Sequence, residues 1–313
     1  MDRPIAVVAG GAQGVGYLSA LQLAATHRII VVDLPDNHVA EAAAACGADA
    51  IGVECDIIDQ AQVEAAVARI VSQAGGIDTV VVTAGIGIGG ALRLTHPDVV
   101  AAQLNINVAG NWRFIHACLP HLIARKGYVI AVASAAAIAP TPALGGYCAS
   151  KAGIEMLLEV LRLEVAHLGV DVGIAYLLFH DTEMVRLARR FLPAFNQTLA
   201  NQPGPMHDVY DPQRAADAVV DAVRHRRHKA FSPAYVGELS ATRMVLRTEL
   251  VSHQAKQQCA RIDELTRASV AERGDFHGAV VPTQACRAAA RSVGRVIEVG
   301  AEAFDRSPAP PAQ

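Results

Sequence analysis

A tyrosine and a lysine four residues apart, Tyr147 and Lys151 in the run GGYCASKAG, form the most chemically suggestive pair in the chain. Four residues make one helical turn, so a phenol and an ammonium at that spacing share one helix face. An unperturbed tyrosine titrates at about 10 and is a poor base near neutrality until a neighbouring cation lowers its pKa. Lys151 is the candidate for that cation. Ser134 lies upstream of the tyrosine, and Asn107 lies further back in NINVAG. The four residues suggest a site for proton transfer, with Tyr147 as the acid or base.

Such a site needs a scaffold and a partner reagent, and the amino end supplies candidates for both. After the apolar run Pro4 to Ala9 comes GGAQGVG, then a helix-forming stretch. Gly10, Gly14 and Gly16, with Gln13 and Val15 between them, suit a turn whose main-chain amides approach a pyrophosphate at a helix N-terminus. Alone, the triplet is equally compatible with a tight strand-to-helix turn. The second apolar run, RIIVVDLP, ends in Asp33 and Leu34. An acid at that strand tip accepts hydrogen bonds from adenosine ribose hydroxyls and repels a 2′-phosphate, which favours NAD over NADP. The bland alternative is an aspartate that starts a turn before Pro35.

Taken together, the glycine turn and the Ser134, Tyr147 and Lys151 spacing resemble the short-chain dehydrogenase/reductase family, over residues 4 to about 233. The resemblance implies a Rossmann-type doubly wound α/β fold with a parallel sheet of about seven strands. It also implies hydride transfer between NAD(H) and an alcohol or ketone. Tyr147 would be the acid or base, and Ser134 would hold the substrate oxygen. Lys151 would lower the tyrosine pKa and contact the nicotinamide ribose, while Asn107 would position a water that relays protons from Lys151. Asp56 and Ile57 fall where the family contacts adenine, Thr83, Ala84 and Gly85 follow the fourth strand, and Thr182 falls where a threonine contacts the nicotinamide carboxamide. Two helices, about Pro97 to Arg125 and Tyr147 to Leu168, usually pair with symmetry mates in the family, so a homodimer or homotetramer is expected. Alternatively, the chain's own carboxyl-terminal extension covers their outer faces.

Composition agrees with one large α/β core: 313 residues, 52% hydrophobic, 4% aromatic, formal net charge −3. Continuous Val, Ile and Ala runs near 4–9, 28–33, 50–55, 78–83, 127–134, 170–178 and 229–233 read as strands buried on both faces of a parallel sheet. Near-neutral charge gives no case for nucleic acid, and the basic cluster Arg224 to Lys229 reads as a solvated turn. The six cysteines show no metal-ligand spacing and read as reduced, small core residues; no metal is expected. With no apolar stretch of membrane-spanning length and a strand starting near Met1, a cytoplasmic protein with no membrane role is expected.

The chain departs from the family pattern where a Pro-Gly pair is expected after the sixth strand, since AYLLFHDTEM stands there. The expectation is a rebuilt loop. His180 and Asp181 in it form either a second polar pair beside the substrate or a turn and helix cap. A lid over about 180–210 follows. Ala135, Ile138, Leu144, Phe179, His180, Leu187 and Phe191 are the candidate substrate pocket, which suggests a small hydrophobic alcohol or ketone, alicyclic, terpenoid or steroid-like. The domain reading is a catalytic unit over 1–235, a helical extension over 236–305 with a sparse stripe of Val251, Ala255, Cys259 and Ile262, and a disordered tail over 306–313. A non-catalytic NAD-binding regulatory or scaffold protein, its nicotinamide placement blocked by the rebuilt loop, is the competing function.

Overall fold

The computed structural model describes residues 3–273. The expected tail over 306–313, the extension beyond 273 and Cys286 lie outside the described residues. Seven strands, β1 (Ile5–Ala9), β2 (Arg28–Asp33), β3 (Ile51–Glu54), β4 (Thr79–Val82), β5 (Tyr128–Val132), β6 (Asp171–Leu177) and β7 (Lys229–Ser232), form one sheet in the order 3-2-1-4-5-6-7. Every pairing is parallel, from Ile5 opposite Arg28 through Leu177 opposite Ser232. Parallel strands need crossovers, and here helices supply them on both faces. The strand order reverses beside β1, between β2 and β4, which is where ligands bind in such sheets.

Strand alternation sends successive side chains to opposite faces, and both faces are covered. Ala6, Val8, Val31, Val81 and Ile130 pack against helices α1 (Gly14–Leu23) and α2 (Val39–Ala45). Val7, Ala9, Val80, Val82 and Val129 pack on the other face against helices α3 (Gln60–Ala74), α4 (Pro97–Leu104), α5 (Asn111–Arg125) and α6 (Gly145–Val165). A π-helical turn, Asn105–Gly110, joins α4 to α5, so the long helix read from the sequence is one continuous rod with a widened turn at Asn107.

The lid comprises helices α7 (Glu183–Phe191) and α8 (Pro193–Ala200); helix α9 (Pro212–His225) returns to the first face, against α1. Past β7 come helices α10 (Val236–Ala241) and α11 (Glu249–Arg273). Their link to the catalytic unit is polar as well as apolar. The buried Glu155 carboxylate of α6 accepts hydrogen bonds from Tyr176 Oη (2.7 Å) and Arg243 Nη2 (3.0 Å), and Arg243 Nη2 also donates to the Ala137 carbonyl at 3.2 Å.

The apolar stripe expected on α11 is corrected. Ala255 is half-buried and Cys259 exposed, while the buried face continues as Ile262, Thr266 and Ser269. Thr266 fits there because its Oγ1 accepts from the Ala91 amide (2.9 Å) and donates to the Ile262 carbonyl (2.7 Å), leaving no buried hydroxyl unpaired. Cys259 also departs from the reading of the cysteines as core residues, whereas Cys46, Cys55 and Cys118 follow it.

Candidate active site

The turn after β1 shows why glycine is required. Gly10 has φ +79°, and a Cβ there would lie 2.6 Å from the Ala84 amide nitrogen, while a Cβ on Gly16 would overlap the Gly10 carbonyl oxygen and Thr83 Oγ1. Helix α1 starts with Gln13 as its N-cap in extended conformation with no side-chain cap, so the first-turn N–H groups stay available to an anion. Thr83 Oγ1 lies within hydrogen-bond distance of the carbonyls of Ala9 (3.1 Å) and Gly10 (3.0 Å), tying the β4 end to the glycine turn.

Asp33 closes the far side of this turn. Its Oδ2 accepts from the Ala12 amide (3.0 Å), and its Oδ1 accepts from Leu34 N (2.8 Å) and Asn37 Nδ2 (2.6 Å). Burial raises its pKa against the pull of those three bonds. Each carboxylate oxygen has two lone-pair directions, so Oδ2 retains room for a ribose hydroxyl. Gly10, Gln13, Gly14, Val15 and Gly16 line one elongated cavity with Asp33, Leu34, Asp56 and Ile57. Thr83, Ala84, Gly85, Tyr147, Lys151 and Thr182 line it as well. An uncapped helix start, a glycine cradle and a strand-end carboxylate fit a dinucleotide.

A second cavity, of about 730 Å³ and mostly apolar, opens on the other side of Tyr147. Lys151 lines only the first cavity and Ser134 only the second, while Tyr147 lines both. Ser134 caps the short turn after β5, with Oγ accepting from Ala136 N at 3.1 Å and donating to the Leu177 carbonyl at 3.3 Å, beside the Tyr147 phenol. Lys151 Nζ lies 5.7 Å from the Tyr147 ring centroid and donates to the Val132 carbonyl at 2.8 Å.

The electrostatics depart from the sequence expectation. Tyr147 stays half-buried with an edge on the cavities, yet desolvation by the surrounding protein pushes its phenol up to about 12, opposed by the Ser134 hydrogen bond. The Lys151 ammonium is itself pushed down to about 8 by burial. In the protein alone, therefore, burial outweighs the cation, and Tyr147 holds its proton at neutral pH.

Asn107 is fully buried. Its Oδ1 accepts from Ile86 N (2.8 Å), and its Nδ2 donates to the Ile86 carbonyl (2.8 Å) and to Ser150 Oγ (2.9 Å). A Cβ on Gly85 would lie 2.9 Å from Asn107 Oδ1 and 3.5 Å from Lys151 Nζ, so the two groups converge on that glycine.

Sequence reasoning missed the neighbours that hold this arrangement. Gln103 Oε1 accepts from Ile88 N (3.1 Å), and Asn111 Nδ2 donates to the Ala84 carbonyl (3.1 Å) and the Asn107 carbonyl (3.0 Å). Gln103, Asn107 and Asn111 thus form a ladder of buried amides on residues 88, 86 and 84. Four helical residues advance about 6 Å and two residues of an extended chain about 6.6 Å, which is why the rungs match. The available signal was the four-residue spacing of three carboxamides along one helix.

In the rebuilt loop none of residues 177–182 takes a positive φ, so leucines at 177 and 178 carry no strain. The chain stays tied to its neighbours instead: Leu178 N donates to Ser232 O (2.9 Å), and Phe179 O accepts from Tyr210 N (2.9 Å). His180 is buried, with Nε2 2.9 Å from Ser232 Oγ and Nδ1 3.2 Å from the Leu178 carbonyl, and burial lowers its pKa. Asp181 pairs with Arg186 on α7 at 3.4 Å.

Of the expected substrate pocket, Ala135, Leu144 and Phe179 line the second cavity, whereas His180 and Leu187 line the first. Two residues are corrected. Ile138 is 1% exposed and belongs to the main core, because the short helical turn after Ser134 carries its side chain back onto the sheet. Phe191 lines neither cavity: α7 ends there, and its ring packs against the Arg190 guanidinium (4.9 Å). Phe195 of α8 lines the cavity instead, edge-on to Phe179 with ring centroids 5.6 Å apart.

With the turn, the strand order and the site in view, comparison with known proteins assigns the class. The short chain dehydrogenase model matches residues 4–192, and the chain belongs to that family. Among similar proteins, an uncharacterized NAD-dependent oxidoreductase from Mycobacterium tuberculosis is 31% identical over 163 residues, covering 51% of this chain and 58% of that protein. (+)-Borneol dehydrogenase 1 from Salvia officinalis is 31% identical over 175 residues, covering 54% and 67%. A crystal structure of a short chain dehydrogenase/reductase from Burkholderia phymatum in complex with NAD superposes with a TM-score of 0.66 at 23% identity, covering 76% of this chain and 92% of that one, and shares the fold. The matches span 18% to 60% of the length of the first four curated relatives.

Proposed function

We propose that the protein is an NAD-dependent oxidoreductase that interconverts a hydrophobic secondary alcohol and its ketone. The observation that carries this reading is the position of Tyr147 at the junction of two cavities, with Lys151 on the dinucleotide side and Ser134 on the other. NAD(H), bound along the first cavity, supplies or accepts the hydride. In the reducing direction Ser134 Oγ holds the carbonyl oxygen and Tyr147 Oη gives it a proton as the hydride reaches the carbon; oxidation reverses both transfers. Lys151, whose Nζ converges with Asn107 Oδ1 on Gly85, replaces that proton, and Asn107 positions the water that relays protons from Lys151 to solvent. The phenol needs its proton for reduction, and a pKa above neutrality keeps it there. The test is a panel of alicyclic and steroid alcohols with NAD, read at the NADH absorbance; no turnover across the panel would defeat the proposal.

The choice of NAD rests on Asp33. Asp33→Ala removes both the ribose hydrogen bonds and the repulsion of a 2′-phosphate. It is expected to narrow the preference for NAD over NADP by about 1–3 kcal/mol, the worth of a hydrogen bond to a charged group. Equal efficiency of the wild-type protein with the two cofactors would contradict the assignment.

We further take residues 1–235 as the catalytic unit with a lid over 180–210, the protein as cytoplasmic, and the assembly as a homodimer or homotetramer. Among the described residues no helix is long and apolar enough to cross a membrane. Support for assembly comes from α6, where Met156, Val160 and Leu163 expose 61%, 44% and 67% of their surfaces on one apolar face that α11 does not cover. Light scattering should give a mass of at least two chains, and a monomer at micromolar concentration would count against it.

A further inference from the structure

The second cavity extends well beyond the reacting group. It starts at Ser134 and Tyr147 and is walled at its far end by Ala255, Cys259 and Ile262 of α11. That helix is held as a fixed wall. Ile262 is 2% exposed and packs with Ala91, Ala143 and Ala194, one residue from each of three segments bordering the cavity. Thr266 takes the Ala91 amide, and Arg93 pairs with Asp263. All of α11 lies outside the stretch that matches the family model, so the family chemistry does not require it.

A compact alcohol held at Ser134 leaves the far half of this space unused. A longer hydrocarbon body fills it and gains affinity in proportion to the apolar surface buried. The α11 end differs in character, because Asn201, Gln202, Lys256 and Gln258 line it beside the Arg93–Asp263 pair. Side-chain amides there can pair with a polar group at the distal end of a ligand and penalise a bare hydrocarbon end that displaces their water.

We infer that the site takes an elongated apolar secondary alcohol, or the corresponding ketone, with a hydrogen-bonding group at the end remote from the reacting carbon, and that α11 sets its maximum length. This deepens the proposed function and rests on it.

The test compares three probe alcohols: cyclohexanol, 5α-androstan-3α-ol, and androsterone, which adds a distal ketone to the same ring system. Cys259 faces the cavity yet is exposed, so Cys259→Phe shortens the cavity without disturbing the core. For androsterone the variant is expected to lose at least about tenfold in kcat/KM, mainly through KM, with cyclohexanol little changed. Androsterone should exceed 5α-androstan-3α-ol by about tenfold in the wild-type protein, the scale of a hydrogen bond that is otherwise left unmade. In the wild-type protein, androsterone with NAD should also slow maleimide labelling of Cys259, followed on its own peptide by mass spectrometry.

Equal losses for both alcohol sizes in Cys259→Phe, or no loss for the larger, would overturn the length assignment. Equal efficiency of the two steroids would overturn the distal polar group. Protection of Cys259 without turnover of any alcohol would sink the catalytic proposal while supporting the extended site. Turnover of cyclohexanol with neither protection nor a size effect would do the reverse.

Discussion

Tyr147→Phe is expected to keep the fold and the affinity for NAD while losing at least about a hundredfold in turnover, the lower end of what general acid–base catalysis contributes. The substitution removes one oxygen from a half-buried ring. The ring stays where it is, between the two cavities, so packing and the dinucleotide cradle from Gly10 to Gly16 are untouched. What disappears is the only group among the described residues that lines both cavities and whose proton can reach a substrate oxygen held at Ser134. Single-turnover assays with a saturating alcohol measure this directly. A variant with normal turnover would show that the proton comes from elsewhere.

Lys151→Met is expected to do two opposite things. Turnover and NAD affinity fall, because the ammonium has a role in each. Stability at pH 7 rises, by about 1–3 kcal/mol. The reason is that Lys151 is 4% exposed and its pKa is depressed from 10.5 to about 8 by desolvation, which corresponds to a penalty of about 3 kcal/mol for folding with the charge in place. Loss of its hydrogen bond to the Val132 carbonyl takes back about 1 kcal/mol.

The sign of the pH dependence follows. Below pH about 8 the lysine is charged in both the folded and unfolded states, and the full penalty applies. Between about 8 and 10.5 the folded protein has released a proton that the unfolded chain still holds, so stability rises with pH. The methionine variant lacks this term, and its advantage should shrink over that window. Urea melts at pH 7 and pH 10 test both statements. A variant less stable than wild type at pH 7, or a difference that does not change with pH, would contradict the burial argument.

The strands were legible because both faces of a parallel sheet are covered, which writes each strand as an uninterrupted apolar run; β1 and β2 end at Ala9 and Asp33 as read. The catalytic spacing was legible for a similar reason, since Tyr147 and Lys151 sit on one regular helix. Legibility ended where tertiary packing decides. Ile138 looks like a pocket residue by its distance from Ser134, but the turn that follows rotates it into the core. Gln103 and Asn111 look like an ordinary polar helix face until residues 84–88 are laid across them. The pKa of Tyr147 depends on how much water its phenol retains, which no spacing encodes. The wall supplied by α11 comes from a segment more than a hundred residues from Tyr147, and only a sparse stripe marked it, because Thr266 and Ser269 take buried positions on the same face.

The most direct measurement of the central claim follows the hydride itself. Cyclohexanol deuterated at the carbinol carbon is incubated with NAD and the wild-type protein, and the reduced dinucleotide is recovered and analysed by proton NMR. The account predicts deuterium at one C4 position of the nicotinamide, on one face only, and a Tyr147→Phe control that forms at most about a hundredth as much labelled product in the same time. Reduced dinucleotide without deuterium, or none formed from any secondary alcohol tried, would contradict it.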